Sequence, residues 1–258
     1  MQTSHHRMNR LLLGNRWFWC QAVILWCSQF LWVKASDVKN GEFVSINTDY
    51  NLSKEKLRSL EEKASKGDAD AAYRISRFYE YTVNDETAWV KWLRKAEDLG
   101  HAPAAYNLAS YYRYLAKPPD YKTALEIYRK LAEQKNDLEV KGMGEIAIRA
   151  MREMGEMFEE GLGVSKDAQK AMDWYEKAAR SGKVFTMEKL SGMLFERGNF
   201  LEAYQWAELA ALRERRKKDE VNEIDTSKFA RKLTEEQRAK AKKKVEELDK
   251  EIPSINLW

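Results

Sequence analysis

The sequence predicts an all-α protein: a right-handed α/α solenoid of about four helix pairs with a capping helix at each end. Three observations lead to this prediction. Charged residues make up 33% of the 258 residues and only four residues are proline, a composition that favours helix. A pattern of aliphatic, small and aromatic residues occurs in four copies. Each copy is followed by a second segment with helical spacing, and the copies recur at about 35 residues.

Four copies of one pattern mark the first helix of each predicted pair. Each copy has an aliphatic residue or methionine, then a small residue, and an aromatic residue or leucine three positions later. In chain order these are Ile75, Ser76 and Tyr79; Leu108, Ala109 and Tyr112; Met154, Gly155 and Phe158; and Leu190, Ser191 and Leu194. Because small residues let two helices cross closely while aromatic residues fill wider gaps, the pattern predicts a stacking seam of tandem helical hairpins.

The second helix of each pair carries a large apolar anchor. The four anchors are Trp92, Ile127, Trp174 and Trp206. They lie 35, 47 and 32 residues apart, and the longest interval indicates an insertion near residues 136–146. A spacing near 35 residues that carries two helices and a short turn is typical of a helical solenoid.

The third copy also carries a longer motif. Residues 154–164 read M-G-E-M-F-E-E-G-L-G-V, and residues 170–179 read K-A-M-D-W-Y-E-K-A-A. This pattern closely resembles the Sel-one-like repeat, a relative of the tetratricopeptide repeat. The first two copies lack the G-x-G-V turn, and the fourth copy matches least. The resemblance covers residues 67–211 and implies a helical-repeat protein that binds another protein, without saying which one.

The N-terminus has the pattern of an export signal. Residues 1–35 contain four basic residues and no acidic residue, and an apolar run covers residues 17–33. This order predicts a secretory signal peptide that is cleaved after Ala35. Both cysteines, Cys20 and Cys27, lie inside the signal. We therefore expect a cysteine-free chain in the bacterial periplasm. The alternative is an uncleaved signal-anchor in the inner membrane that faces the periplasm, the only case in which we expect membrane contact.

Two further helices are predicted to cap the array. Residues 36–66 are a polar lead-in and an N-terminal capping helix that begins after Ser53. Residues 212–258 are a charged linker and a C-terminal capping helix, with a capping box at Thr234 and Gln237. The apolar stripe of that last helix is Ala241, Val245, Leu248 and Ile252. The alternatives are a basic docking patch in the linker and a coiled-coil seam on the helix.

The residue inventory predicts that the chain is not an enzyme. After the signal, His101 is the only histidine and no cysteine remains, so no Cys/His pair or zinc ligand set can form. We expect no metal and no cofactor, since no phosphate-binding loop occurs either. An acidic pair such as Glu159 and Glu160 leaves a hydrolase as a disfavoured alternative. Residues 36–258 hold 41 basic and 41 acidic residues, so we expect no nucleic-acid partner.

The predicted partner-binding residues lie on the first helices, on the face adjacent to the core stripe. In tetratricopeptide-type stacks this face lines the concave groove, which the resemblance implies here. The candidates are Tyr73, Arg77, Tyr81, Tyr106, Arg113, Tyr114, Arg152, Glu156, Glu159, Glu160 and Glu188. Their order predicts a groove that changes from Tyr/Arg-rich to Glu-rich and so orients its partner. In the other interpretation the tyrosines pack between adjacent pairs and the glutamates are solvated.

The functional hypothesis is a non-catalytic protein-binding module of the bacterial envelope. Exported proteins with Sel-one-like repeats include immunity proteins that neutralise antibacterial effectors, such as those of type VI secretion. The resemblance therefore implies a toxin or effector as the partner. The alternative is a scaffold or regulatory adaptor for envelope protein assemblies.

Overall fold

The computed structural model describes residues 50–133, 143–216 and 224–252. The predicted signal peptide lies outside the described residues, as do most of the lead-in and part of the predicted insertion. None of the helices in the described ranges has the length and apolarity needed to cross a bilayer.

Every regular element in these ranges is helical, which confirms the predicted all-α class. The helices, numbered in chain order, are α1 (Lys54–Ser65), α2 (Ala69–Phe78), α3 (Glu86–Asp98), α4 (Ala102–Ser110), α5 (Tyr121–Glu133), α6 (Met143–Glu160), α7 (Ala168–Ala179), α8 (Val184–Glu196), α9 (Phe200–Arg215), α10 (Ser227–Ala230) and α11 (Glu235–Glu251). From α1 to α9 each helix packs against the next, and α4 also contacts α6. This is the arrangement of an α/α solenoid with four pairs, α2–α3, α4–α5, α6–α7 and α8–α9.

The core follows the predicted seam. The aliphatic and small residues of all four copies are buried, among them Ile75, Leu108, Met154 and Leu190. Among the described residues, the largest fully buried side chains are Tyr128 and Tyr175, one residue after the predicted anchors Ile127 and Trp174. Burying an aromatic side chain of this size contributes about 1.5–3 kcal/mol, so these rings hold the second helix of the second and third pairs against the first helix of the same pair.

Two first helices end differently from the prediction. The sequence predicts regular helix through Tyr81 and Tyr114, but α2 and α4 each continue into one π-helical turn. These are the first π turn (Tyr79–Val83) and the second π turn (Tyr111–Leu115). A π turn widens the helix by one residue and is frequently found at functional sites. Tyr81 and Tyr114, which were predicted to line the groove, therefore have a different position around the helix axis from that in a regular α-helix.

The glycine turn of the third pair is a site of close packing. Gly163 has a φ of +71°, a left-handed conformation that favours glycine. A Cβ atom at this position would lie 2.8 Å from the carbonyl oxygen of Tyr121, the first residue of α5. The G-x-G-V turn thus joins α6 to α7 as predicted and also touches the start of the preceding second helix.

The last helix, α11, packs against α9. Its predicted stripe is buried at Ala241, Val245 and Leu248, and the capping box at Thr234 and Gln237 is formed. The predicted charged linker begins at residue 212, but α9 continues to Arg215.

One arginine joins these two helices. Arg213 is only 7% exposed. It donates hydrogen bonds to the carbonyl oxygen of Ile252 at 2.6 Å and to the Asp249 carboxylate at 3.3 Å. The start of the charged segment is therefore a structural contact, because it attaches the C-terminal helix.

Helix α4 begins with a histidine cap, whereas three other helices begin with an aspartate cap. Asp68, Asp85 and Asp167 cap α2, α3 and α7 through their carboxylates. At α4 the Nδ1 atom of His101 accepts the hydrogen bond from the Ala104 amide at 3.1 Å. Burial lowers the pKa of His101, an effect that the Asp70 carboxylate opposes.

We predict that acidification weakens the fold through this cap. The folded state favours neutral His101, so its contribution is present above the ordinary pKa of about 6.5 and is lost as the pH falls through the lowered value. A protonated Nδ1 cannot accept the Ala104 amide, and losing an N-cap costs about 1 kcal/mol. We expect the free energy of unfolding, measured by urea titration, to fall by about this amount more in the native chain than in His101→Asn between about pH 7.5 and pH 5. Equal pH dependence in the two proteins would contradict this role.

Candidate functional site

The predicted partner-binding residues form three separate clusters on the first helices. The first, the tyrosine–arginine cluster, consists of Tyr50, Tyr73, Arg77, Glu80 and Tyr81. The second, the central network, consists of Tyr106, Arg113, Tyr114, Arg152, Glu153 and Glu156. The third, the glutamate link, consists of Glu159, Tyr175 and Lys189. The remaining two candidates, Glu160 and Glu188, are exposed.

The tyrosine–arginine cluster is built around one guanidinium. Arg77 pairs with the Glu80 carboxylate at 2.7 Å, and its Cζ lies 4.2 Å from the ring centroid of Tyr81 and 5.2 Å from that of Tyr50. The two rings stack on each other with centroids 5.3 Å apart. Burial raises the pKa of Glu80, and the neighbouring Arg77 charge opposes that shift. The cluster therefore holds Tyr81, which is 47% exposed, in a fixed orientation.

Tyr73 belongs to this cluster but faces the second repeat. Its hydroxyl accepts a hydrogen bond from the Asn107 amide at 3.1 Å, and its ring stacks on His101 with centroids 4.4 Å apart. Both partners belong to the second pair. Tyr73 therefore joins neighbouring repeats, as the packing interpretation proposed.

The central network converges on Glu153, which the sequence analysis missed. Its Oε1 accepts hydrogen bonds from Tyr106 at 2.9 Å and from Arg152. Its Oε2 accepts from Tyr114 at 3.0 Å and from Arg113. One carboxylate thus receives four donors, three of them from the second pair. This arrangement ties α4 and its π turn to α6.

The centre of the network is buried, so its charges must be paired. Glu153 is 2% exposed and Arg113 is 5% exposed. Glu156 completes the pairing, because it accepts from Arg113 at 3.1 Å and from Arg152 at 2.5 Å. Burial, reinforced by the Glu153 carboxylate, raises the pKa of Tyr106 to about 12, so this phenol stays a donor at neutral pH. The positive charges of two arginines and the negative charges of two glutamates therefore balance within the network.

The sequence around Glu153 contains a pattern from which its burial can be predicted. Residues 150, 153, 154 and 157 follow the spacing of one helix face, and the other three are the fully buried Ala150, Met154 and Met157. A carboxylate in that stripe must be paired, since an isolated buried charge is costly.

The glutamate link joins the third pair to the fourth. Glu159 accepts a hydrogen bond from the buried Tyr175 hydroxyl at 3.0 Å and pairs with Lys189 of α8 at 3.1 Å. Burial raises the pKa of Tyr175, with the Glu159 charge adding to the effect.

These contacts give a different charge pattern from the predicted one. The sequence predicted a change from Tyr/Arg-rich to Glu-rich along the groove. In the structure the arginines of the central network are paired with glutamates on the next first helix, and Glu159 is paired with Lys189. Much of the predicted charge is therefore neutralised between repeats.

The exposed large hydrophobic side chains are concentrated in the two π turns. Among the described residues, the large hydrophobic side chains that are exposed are Tyr81, Val83, Leu99, Tyr114, Leu115 and Phe185. Four of these six lie in the two π turns, and we call Tyr81, Val83, Tyr114 and Leu115 the π-turn surface. In the described part of the chain, no group of three or more His, Cys, Asp or Glu side chains is arranged to hold a metal ion.

We predict that Glu153 stabilises the fold far more than a carboxylate in a surface ion pair. In Glu153→Ala the Arg113 guanidinium remains buried without its main partner, which costs about 3–5 kcal/mol. The control is Glu145→Ala on the same helix, which breaks a pair with the exposed Arg149 and costs about 0.5 kcal/mol. Urea unfolding followed by circular dichroism measures both values. Similar losses in the two variants would show that the network contributes no more than surface pairing.

Comparison with known proteins gives the family. The Sel1 repeat family model matches residues 90–101, 102–136, 148–183 and 189–214. The last three matches fall on the second, third and fourth helix pairs. A comparison with curated proteins found no significant match.

Two solved structures are similar to the chain. One is a protective antigen of uropathogenic Escherichia coli with an SLR fold, at 20% identity and a TM-score of 0.40, covering 76% of this chain and 49% of that one. The chain therefore spans about half the length of that antigen. The other is a Sel1 repeat protein from Oxalobacter formigenes, at 27% identity and a TM-score of 0.40, covering 52% of this chain and 96% of that one. The four matched segments and the helix pairs that contain them show that residues 90–214 are an array of Sel1 repeats.

Proposed function

We propose that the chain is a non-catalytic binding protein that holds its partner on the π-turn surface. Sel1 repeats are helical modules of protein–protein interaction, so a protein partner follows from the family. One observation supports this position of the binding site: the exposed large hydrophobic residues are concentrated in two turns on consecutive first helices. Exposed apolar groups that cluster on a soluble surface are typical of binding sites.

The geometry of the tyrosines supports this location. Tyr114 is 58% exposed, yet its hydroxyl is held by Glu153 and its ring lies 4.7 Å from the Arg113 Cζ. Tyr81 is held in a similar way by Arg77. A side chain that is fixed before binding loses little conformational entropy in the complex. Tyrosine is also among the residues that most often dominate interface energies.

We further propose that the chain is an immunity protein of the bacterial envelope whose partner is a secreted antibacterial effector. The export signal predicted in residues 1–35 supports a periplasmic location. The lack of cysteine after that signal suits an oxidising compartment. In this proposal the solenoid binds the effector and blocks its active site, so it needs no reactive group of its own.

We predict that the double variant Tyr81→Ala/Tyr114→Ala loses partner binding while it stays folded. Each ring buried by a partner contributes about 1.5–3 kcal/mol, so losing both lowers affinity by at least about a hundredfold. The measurement is quantitative affinity capture from periplasmic extract with the full chain as bait, and the captured partner's affinity is then determined by titration. Phe185→Ala is the matched control, because Phe185 is as exposed as Tyr114 but lies on α8.

The outcomes separate the hypotheses. One stoichiometric partner, toxic when exported alone and neutralised by the chain, supports an immunity role. Several endogenous envelope proteins would instead indicate the scaffold alternative. Equal capture by the double variant and the native chain, with unchanged helicity in both, would refute the π-turn surface as the binding site.

A further inference from the structure

We infer that the π-turn surface receives an extended, uncharged apolar segment of the partner that spans the first two repeats. This inference rests on the proposed function and adds the chemistry of the bound segment.

The two turns present equivalent side chains side by side. Tyr81 and Tyr114 are separated by 33 residues, the distance between the helix-capping residues Asp68 and His101. Their helices, α2 and α4, are joined by the hydrogen bond between Tyr73 and Asn107. Equivalent positions of consecutive repeats fall on the same face of a solenoid. An extended segment can therefore meet one exposed tyrosine on each repeat.

The cations under these rings are already neutralised. Arg77 lies against Tyr81 and is paired with Glu80 at 2.7 Å. Arg113 lies against Tyr114 and is paired with Glu153 and with Glu156 at 3.1 Å. An acidic segment would have to displace these carboxylates from the arginines, and a basic segment would have to displace the arginines from the carboxylates. The charge balance thus favours a segment without charge.

The aliphatic residues beside the rings define what an uncharged segment should carry. Val83 is 47% exposed and Leu115 is 54% exposed. Each can be removed from water only by an apolar group of the partner, since neither offers a hydrogen-bonding side chain. The segment should therefore carry aliphatic, aromatic or proline side chains toward both turns, as extended proline-containing segments do when they bind aromatic surfaces.

The test is selection from a displayed library of random peptides of about 12 residues, long enough to span two repeats. The full native chain, Tyr81→Ala/Tyr114→Ala and Phe185→Ala are immobilised in parallel. We expect the native chain and Phe185→Ala to enrich uncharged peptides with apolar residues at two or more positions, at least about tenfold over the double variant. The affinity of an enriched peptide should change less than about twofold between low and high salt, because screening affects only charged contacts.

Several results would overturn the inference. Enrichment of acidic or basic peptides, or a steep salt dependence, would show that the surface recognises charge. Failure of any peptide to prefer the native chain over the double variant would exclude an extended segment. If the native chain sediments as a dimer and the double variant sediments as a monomer, the segment on the π-turn surface belongs to a second copy of the chain. In each case, tyrosine-dependent capture of a protein partner would leave the proposed function standing, whereas tyrosine-independent capture would refute its site.

Discussion

The close crossing of first and second helices is the constraint on which the solenoid depends. At the crossing the four first helices carry Ser76, Ala109, Gly155 and Ser191, all of them buried. The third pair shows how little space is left, because a Cβ atom on Gly155 would lie 2.8 Å from the ring of Tyr175. Protein interiors are close-packed, so a larger residue at such a point displaces the helix that it meets.

Close crossings bring side chains of neighbouring repeats within hydrogen-bonding distance. Tyr73 with Asn107, Tyr106 with Glu153, and Glu159 with Lys189 form a series of contacts that joins α2 to α4, α4 to α6 and α6 to α8. These contacts use up many of the polar groups on the first-helix face. Four of the large hydrophobic residues that stay exposed in the described ranges lie in the two π turns.

Local patterns predicted much of this arrangement. The recurrence of Ile75, Leu108, Met154 and Leu190 located the core, and the G-x-G-V segment located the turn of the third pair. Such features depend on residues close in sequence, so their spacing alone reveals them. The predicted groove residues were less informative, because a helix face shows which side chains are neighbours but not which of them are already paired.

The missed features depend on contacts between distant residues. Glu153 meets Arg113 and Tyr114 from 40 and 39 residues away, and no pattern within one repeat identifies that meeting. The π turns were missed for a related reason, since helical spacing was assumed to continue through Tyr81 and Tyr114.

The account is tested most directly by adding one methyl group at the crossing of the third pair. Alanine normally stabilises a helix by about 0.5–1 kcal/mol relative to glycine, and Gly192→Ala, where no atom lies within 4 Å of the new Cβ, should show this gain. Gly155→Ala should instead lower the free energy of unfolding by about 1–2 kcal/mol, because overpacking against Tyr175 exceeds the helix gain. The two values come from urea unfolding of the full chain. A stabilised Gly155→Ala variant would contradict the claim that the solenoid depends on the close crossing of first and second helices.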